Sequence, residues 1–573
     1  MSLMFSGFFF PQEGTLQTTS VEITCIYSKM VFQRIFRFGQ RFVGFMGVFT
    51  GVRFVSSQKP AKEFVRSKDL SSQNAASAPH VFSWLGDIAP CFGISGNNVL
   101  VINEPTEFYE ILKTKAKQAK QRIIITSLYL GTGDLEQELV DAIREACESA
   151  KLNGSSNFEV NILLDYTRGS RGHDKSSRTM LTPLLKEYKD FVSVHLYHTP
   201  DLRGILRSIL SGRLSEVVGL NHMKIYLFDD SFVISGANLS DNYFTNRQDR
   251  YVLFNNCSEL SDFFTDLVKT VSTFSFQLQA DDTTILHPKC SIHPYEGSEL
   301  DFKNEARRRI LDLLKRSPKV EKYKSPEIVM TDCQPDTKSQ SNVTIDIEHQ
   351  TTGNESDFNQ GEIDTWIYPL LQMGPFGIMD DEIATKAIFR TAETGEEIYL
   401  ASGYFNLTDY YVKVILHESQ AKYNVLMASP EVNGFFGAKG PAGAIPAAYI
   451  YIAKQFLRLT GKYEQHQRII LREYFRDKWT FHVKGLWYYL RNDSLPSMSI
   501  VGSANFGYRS VYRDLECQCA IVTNNAQLQQ QLREEHVRLY QLSTPVSMET
   551  FSRKDRLVPL WVRLVTPLIK HFF

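Results

Sequence analysis

NHMKIYLFDD (residues 221–230) and FHVKGLWYYL (residues 481–490) share one pattern, a histidine and a lysine two positions apart. In an extended chain residues i and i+2 leave the same face, so His222 points with Lys224 and His482 with Lys484. A small-residue turn follows each stretch: SGANLS with Gly236 and Asn238, then VGSANFG with Gly502, Ser503 and Asn505. Laying Ser235 on Gly502 sets Asn238 on Asn505 and Asp249 on Glu516. Two matches at one set of offsets mark an internal repeat.

The surroundings repeat as well. Ahead of the first motif lie a helix expected over 105–121, the β-run RIIITSLY (122–129) and a helix expected to be capped by Asp134 with Gln137 three residues on. Strands are expected at 160–164, 191–197, 222–228, 232–235 and 251–254. The second copy has a helix near 381–391, then strands at 397–404, 423–428, 481–489, 498–502 and 516–522. Helix-then-strand alternation predicts an α/β fold of two lobes, each a mixed β-sheet flanked by helices, related by a pseudo-twofold and sharing one active site. A polar stretch, 317–362, separates lobes at 67–316 and 363–573 and reads as a disordered linker or insertion.

Residues 1–66 carry eight Lys/Arg against three acids, with Arg34, Arg37 and Arg41 on one face of a potential helix over 30–43. This is the pattern of a mitochondrial transit segment; the competing reading is an interfacial helix retained on the protein. The whole chain of 573 residues has formal charge −1, which disfavours a nucleic-acid partner. Eight cysteines with no C-x-x-C pair argue against a disulfide framework or zinc site. Cys517 and Cys519 read as thiols on one face of a strand. No apolar run is long enough for a transmembrane helix.

Each lobe then supplies an imidazole, an ammonium and an amide. Face to face, they suit a phosphodiester: cations and amides for its oxygens, an imidazole on each side for in-line chemistry, and no metal or other cofactor. Further cations border the motifs, Arg509 and Arg513 in the second and Arg247 and Arg250 in the first. The cluster Arg168, Arg171 and His173 is either a phosphate cradle or a solvated loop. Gly131 and Gly133 in LGTGDLE lack the ending of a P-loop and read as a strand-to-helix turn.

The His-x-Lys-(x4)-Asp pattern of His222, Lys224 and Asp229, with the Gly/Ser-Ala-Asn turn and its second copy, resembles the phospholipase D superfamily. The LLDYTRGSRG stretch and the basic leader make it similar, within that superfamily, to the mitochondrial CDP-diacylglycerol–glycerol-3-phosphate 3-phosphatidyltransferases. The resemblance implies catalytic His222, Lys224, Asp229, His482 and Lys484, with His222 as nucleophile and His482 as acid/base. It implies substrate contacts from Asn238, Asn505, Ser503 and the four arginines, and Asp249 and Glu516 behind the histidines. CDP-diacylglycerol and glycerol 3-phosphate would be the substrates, in the committed step toward phosphatidylglycerol and cardiolipin, at the mitochondrial inner membrane. A phosphodiesterase using water, or a transferase using serine, would use the same motifs. Tyr489 stands where the second motif would have Asp. It is harmless if that Asp anchors its strand, and consequential if it positions the lysine. Two apolar segments, 434–448 and 557–573, could touch a bilayer or pack in the core.

Overall fold

In the computed structural model, the residues described are 78–319, apart from 173 and 211, and 362–572. The basic leader and nearly all of the polar stretch lie outside them, as does His173.

Among the described residues two large sheets carry the repeat. The first has nine strands in the spatial order Thr284–Leu286, Phe276–Leu278, Val192–Tyr197, Glu159–Asp165, Arg122–Thr126, Ile225–Phe228, Ser231–Ser235, Tyr251–Phe254 and Val99–Ile102. The second contains, in the matching order, Ile469–Tyr474, Lys422–Ala428, Glu397–Ser402, Lys484–Tyr489, Met498–Gly502, Leu515–Thr523 and Thr365–Met373. The correspondence extends to strand direction. Val192–Tyr197, Glu159–Asp165 and Arg122–Thr126 are parallel in the first sheet, as are Ile469–Tyr474, Lys422–Ala428 and Glu397–Ser402 in the second, and the next strand in each pairs antiparallel. The α/β expectation of two mixed sheets flanked by helices holds. Strands Val99–Ile102, Thr365–Met373 and Ile469–Tyr474 were not expected from the sequence. All three pair along a sheet whose centre had already been marked.

Local signals account for most element ends. Helix Pro105–Gln118 starts on a proline, which has no N–H to orphan there. Helix Asp134–Leu152 is capped at Gly133, not Asp134: the Glu136 carboxylate accepts the Gly133 N–H at 3.0 Å. The first strand, Phe92–Ile94, pairs antiparallel with Thr365–Met373, so the chain contributes to the second sheet before it builds the first.

Three apolar clusters fill the fold. One covers the outer face of the first sheet and one the outer face of the second, while the third lies between lobes and joins Ile124, Met223 and Phe232 to Ile367, Val483 and Trp487. Met223 and Val483 are the residues between each histidine and its lysine. Because both are driven into this shared core, alternation turns the His/Lys pairs the other way. Cys517 and Cys519 sit in the same core as free thiols.

Candidate active site

The strands proper begin after the histidines, at Ile225 and Lys484. The histidine segments reach out of their own sheet to the other lobe. Asn221 bridges Leu515 and the His222 N–H donates to Leu515 O at 2.8 Å. Thr480–Phe481 pairs in parallel with Arg247–Gln248, and the His482 N–H donates to Gln248 O at 2.8 Å. These two crossings put the carboxylate that follows Leu515 or Gln248 beside the opposite histidine. His222 Nδ1 lies 2.9 Å from Glu516 Oε2, and His482 Nδ1 lies 2.6 Å from Asp249 Oδ2. Each imidazole is thus held by an acid from the other half of the chain.

Both histidines, both lysines and both acids are buried. Burial, then the neighbouring Lys224, holds the His222 pKa well below the usual imidazole value; burial and Lys484 do the same to His482. Burial lowers Lys224 to about 7 and Lys484 to about 8, against the pull of Glu516 and Asp249. Asp249 is pushed up to about 6 and Glu516 is also raised, both by burial. A neutral imidazole that donates Nδ1–H to a carboxylate keeps a lone pair on Nε2, which is the form a nucleophile or base requires.

Each lysine donates to the carbonyl of its own histidine at 2.6 Å. Lys484 Nζ also lies 2.7 Å from His482 Nδ1 and competes with Asp249 for that nitrogen. The asparagines meet the site in matching ways. Asn238 Oδ1 and Asn505 Oδ1 are both buried with no hydrogen-bond partner. Asn238 Nδ2 lies 3.0 Å from Tyr243 Oη; exchanging its amide oxygen and nitrogen lets the tyrosine donate and frees the NH2 group. Gly236 is needed between them, because a Cβ there would meet Asp249 Oδ1 at 2.5 Å and Lys484 Cδ at 2.8 Å.

Several residues marked in the sequence lie elsewhere. Asp229 is at the far end of its strand, in a hairpin turn at φ +53°, and does not touch His222 or Lys224. Its carboxylate accepts the N–H groups of Lys120, Gln121 and Arg122 at 2.9, 2.7 and 3.0 Å, which fixes the entry to strand Arg122–Thr126. Its catalytic assignment is therefore corrected to an anchoring one. Tyr489 occupies the matching end of the second sheet and bonds His536 Nε2 there, so its departure from the motif does not alter the lysine's surroundings. Ser503 is bound to the backbone of Cys517 rather than offered to a substrate. Arg250 is also withdrawn: it pairs with Glu535 at 2.8 Å, donates to Ile500 O and Ser499 Oγ, and covers Trp487. It clamps one lobe to the other.

Arg247 and Arg509 remain at the site. Arg247 donates to Thr480 Oγ1 at 2.9 Å, stacks on Tyr243 and acts electrostatically on His482. Arg509 pairs with Asp514 at 2.8 Å and acts on His222. Arg513 lies over Phe572. Arg168 covers the Tyr129 ring and Arg171 pairs with Glu216. His222, Asp514 and Glu516 place three potential ligand atoms within 4.8 Å of one another. Arg509 already neutralises Asp514 and Lys224 opposes Glu516, so this cluster is charge-balanced by side chains.

The tyrosines were missed. Tyr243 and Tyr404 both set their rings edge-on to His482, at 5.2 and 5.4 Å, and Tyr449 stacks on Tyr404. The repeat held a signal for Tyr404 alone: SLY at 127–129 and SGY at 402–404 stand at the ends of matching strands, Arg122–Thr126 and Glu397–Ser402.

No protein-family model matches the chain. Curated relatives do. It is 50% identical over 495 residues to "CDP-diacylglycerol–glycerol-3-phosphate 3-phosphatidyltransferase, mitochondrial" of Gallus gallus, covering 86% of this chain and 87% of that one. The Homo sapiens protein of the same name is 48% identical, with 86% of each chain covered. The Saccharomyces cerevisiae CDP-diacylglycerol–glycerol-3-phosphate 3-phosphatidyltransferase is 32% identical, with 84% and 89% covered. The chain belongs to this family. It is an enzyme of the phosphatidyltransferase class. Among solved structures, the phosphatidylserine synthase of Haemophilus influenzae Rd KW20 is similar in fold, with a TM-score of 0.60 at 17% identity over 85% of this chain and 98% of that one. That likeness shows a shared fold.

Proposed function

We propose that the chain moves a phosphatidyl group from CDP-diacylglycerol to glycerol 3-phosphate by double displacement at the two histidines. The observation that carries this is the pair of buried imidazoles, each tied at Nδ1 to an acid of the opposite lobe and flanked by a lysine. His222 Nε2 attacks the phosphorus bonded to diacylglycerol, the bond to CMP breaks, and CMP departs with the electron pair. A phosphate leaving group with its own pKa of about 6 needs little protonation, so His482 matters most in the second half. There it takes the proton of the acceptor hydroxyl, which attacks phosphorus and expels His222. Lys224 and Lys484 neutralise the phosphoryl oxygens. Arg247 and Arg509 are the cations left to hold the acceptor's phosphate.

Purified protein given labelled CDP-diacylglycerol and each acceptor in turn tests this. Glycerol 3-phosphate should give phosphatidylglycerophosphate and CMP, with serine, glycerol and water far poorer. Phosphatidic acid as main product despite ample glycerol 3-phosphate would make the enzyme a hydrolase. The vertebrate relatives are named mitochondrial. Together with the basic leader this supports a mitochondrial location, peripheral on the inner membrane. No helix of the described residues is long and apolar enough to cross a membrane. A reporter fused to residues 1–66 should enter mitochondria and fail to do so with Arg34, Arg37 and Arg41 changed to Glu.

A further inference from the structure

Helix Leu560–Ile569, LWVRLVTPLI, contains no acid and only one cation. On a soluble helix the outward face should be polar. Here Leu557, Leu560, Trp561, Leu564 and Leu568 are each between 49% and 69% exposed, while Val562 and Thr566 are buried. At about 100° per residue the four of these within the helix, Leu560, Trp561, Leu564 and Leu568, fall within an arc of roughly 100°. An apolar stripe of this kind on a monomer's surface marks a contact with something else.

The stripe is fastened to the active site. Beyond the helix, Asn406 Nδ2 donates to Lys570 O at 2.7 Å, the His571 ring packs on Tyr508, and Arg513 covers Phe572. Tyr508–Tyr512 is the short helix that carries Arg509. Arg513 also touches the other lobe, since a Cβ on Gly219 would lie 2.5 Å from its carbonyl oxygen. Gly219 ends a segment whose Ile205, Ile209 and Leu214 are 58–72% exposed. Its next residue, Leu220, donates its N–H to Asp514, the partner of Arg509. Exposed apolar elements from both halves of the chain thus converge on the backbone around one arginine beside His222.

We propose that this apolar edge, with the stripe of Leu560–Ile569 at its centre, is the surface by which the enzyme docks on an anionic bilayer. The proposal rests on the reading that the donor substrate is a diacyl lipid, which must pass from the bilayer to His222 without its chains crossing water. The chemistry favours lipid over a protein partner. Leucines with a tryptophan, flanked by Arg563 and Arg207 and lacking acids along the helix, make the composition of an interfacial helix, where cations meet anionic headgroups and apolar side chains enter the acyl boundary.

Flotation of the full chain with phosphatidylcholine vesicles, with and without an anionic phospholipid, tests this. Leu564→Ser combined with Leu568→Ser should weaken partition by at least about tenfold, given the apolar area each leucine offers. Leu152→Ser, at a residue 80% exposed on a helix of the first lobe, should change nothing. Anionic lipid should strengthen binding, and salt should remove that increment. Turnover of CDP-diacylglycerol in detergent micelles should stay within about twofold, because the substituted leucines do not touch the site. Unchanged flotation of the double variant would overturn the assignment. So would conversion of a dimer to a monomer with flotation intact, which would make the stripe a contact between two copies. Failure of the wild-type chain to transfer phosphatidyl groups even in micelles would instead remove the functional reading, and leave the flotation result standing by itself.

Discussion

The two half-sites use the same parts with different neighbours. His222 sits against the longer acid, Glu516, with Asp514 and Arg509 close by. His482 sits against the shorter acid, Asp249, between the rings of Tyr243 and Tyr404, with Lys484 crowding the same ring nitrogen. The lysines differ too, Lys224 held near 7 and Lys484 near 8. At their far ends the motifs diverge fully: Asp229 anchors three backbone N–H groups, and Tyr489 bonds a histidine. Duplication therefore kept the histidine, lysine and crossed acid and released what only holds a strand. On the proposed mechanism, the exchange of acids between lobes makes each half-site depend on the other half of the chain.

The hardest test of that equivalence is removal of each histidine. His222→Ala and His482→Ala should each lower kcat by about a thousandfold or more with the fold intact, and the double variant should be no worse than the worse single. Near-normal turnover in either single variant would end the shared-site account.

Next in size are the crossed acids. Asp249→Asn and Glu516→Gln keep shape but cannot hold an Nδ1–H tautomer as a carboxylate does, so each should cost about a hundredfold to ten-thousandfold in kcat. If Glu516→Gln were neutral while Asp249→Asn was not, only the second half-site would need its acid.

The pH profile separates the lysines. Below about 6 Asp249 is protonated and cannot accept from His482; above about 7 Lys224 loses its ammonium charge. For the free enzyme, kcat/KM should rise through the first value and fall from the second. Lys224→Arg fixes that charge, so the falling limb should move toward the value near 8 of Lys484. A falling limb that does not move would give the limiting proton to another group.

The strand ends should matter least to chemistry. Asp229→Ala leaves backbone N–H groups without an acceptor and should cost about 1–3 kcal/mol of stability, while kcat of the folded fraction stays within a few-fold. Tyr489→Phe loses one hydrogen bond and should cost no more than about 1.5 kcal/mol. Thermal melts with parallel rate measurements distinguish anchoring from positioning.

Much of this was legible in the sequence because duplication made it redundant. His222 with Lys224 matches His482 with Lys484, each asparagine stands at the same distance from its acid, and the sheets order themselves around them. What the offsets do not carry is which lobe an acid serves. Glu516 follows Leu515 and Asp249 follows Gln248, and the crossing between lobes is a tertiary pairing of Leu515 and Gln248 with segments distant in sequence. Arg250 looked like Arg247 because both are cations near one motif. Its strand position turns it inward to Glu535 and Trp487. Tyr243, in the short helix Asp241–Thr245, and Tyr404, just past strand Glu397–Ser402, escaped because such aromatic residues are ordinary core residues until the fold sets a histidine against them.

On the proposed mechanism one phosphatidyl group is handed through His222 with His482 opposite it. The stereochemical course at phosphorus tests this most directly. CDP-diacylglycerol made chiral with oxygen isotopes at the diacylglycerol-linked phosphorus would be converted to phosphatidylglycerophosphate and the configuration of the product read by phosphorus NMR. Two in-line displacements predict net retention. Net inversion would mean that glycerol 3-phosphate attacks CDP-diacylglycerol directly, and would contradict a covalent intermediate on His222.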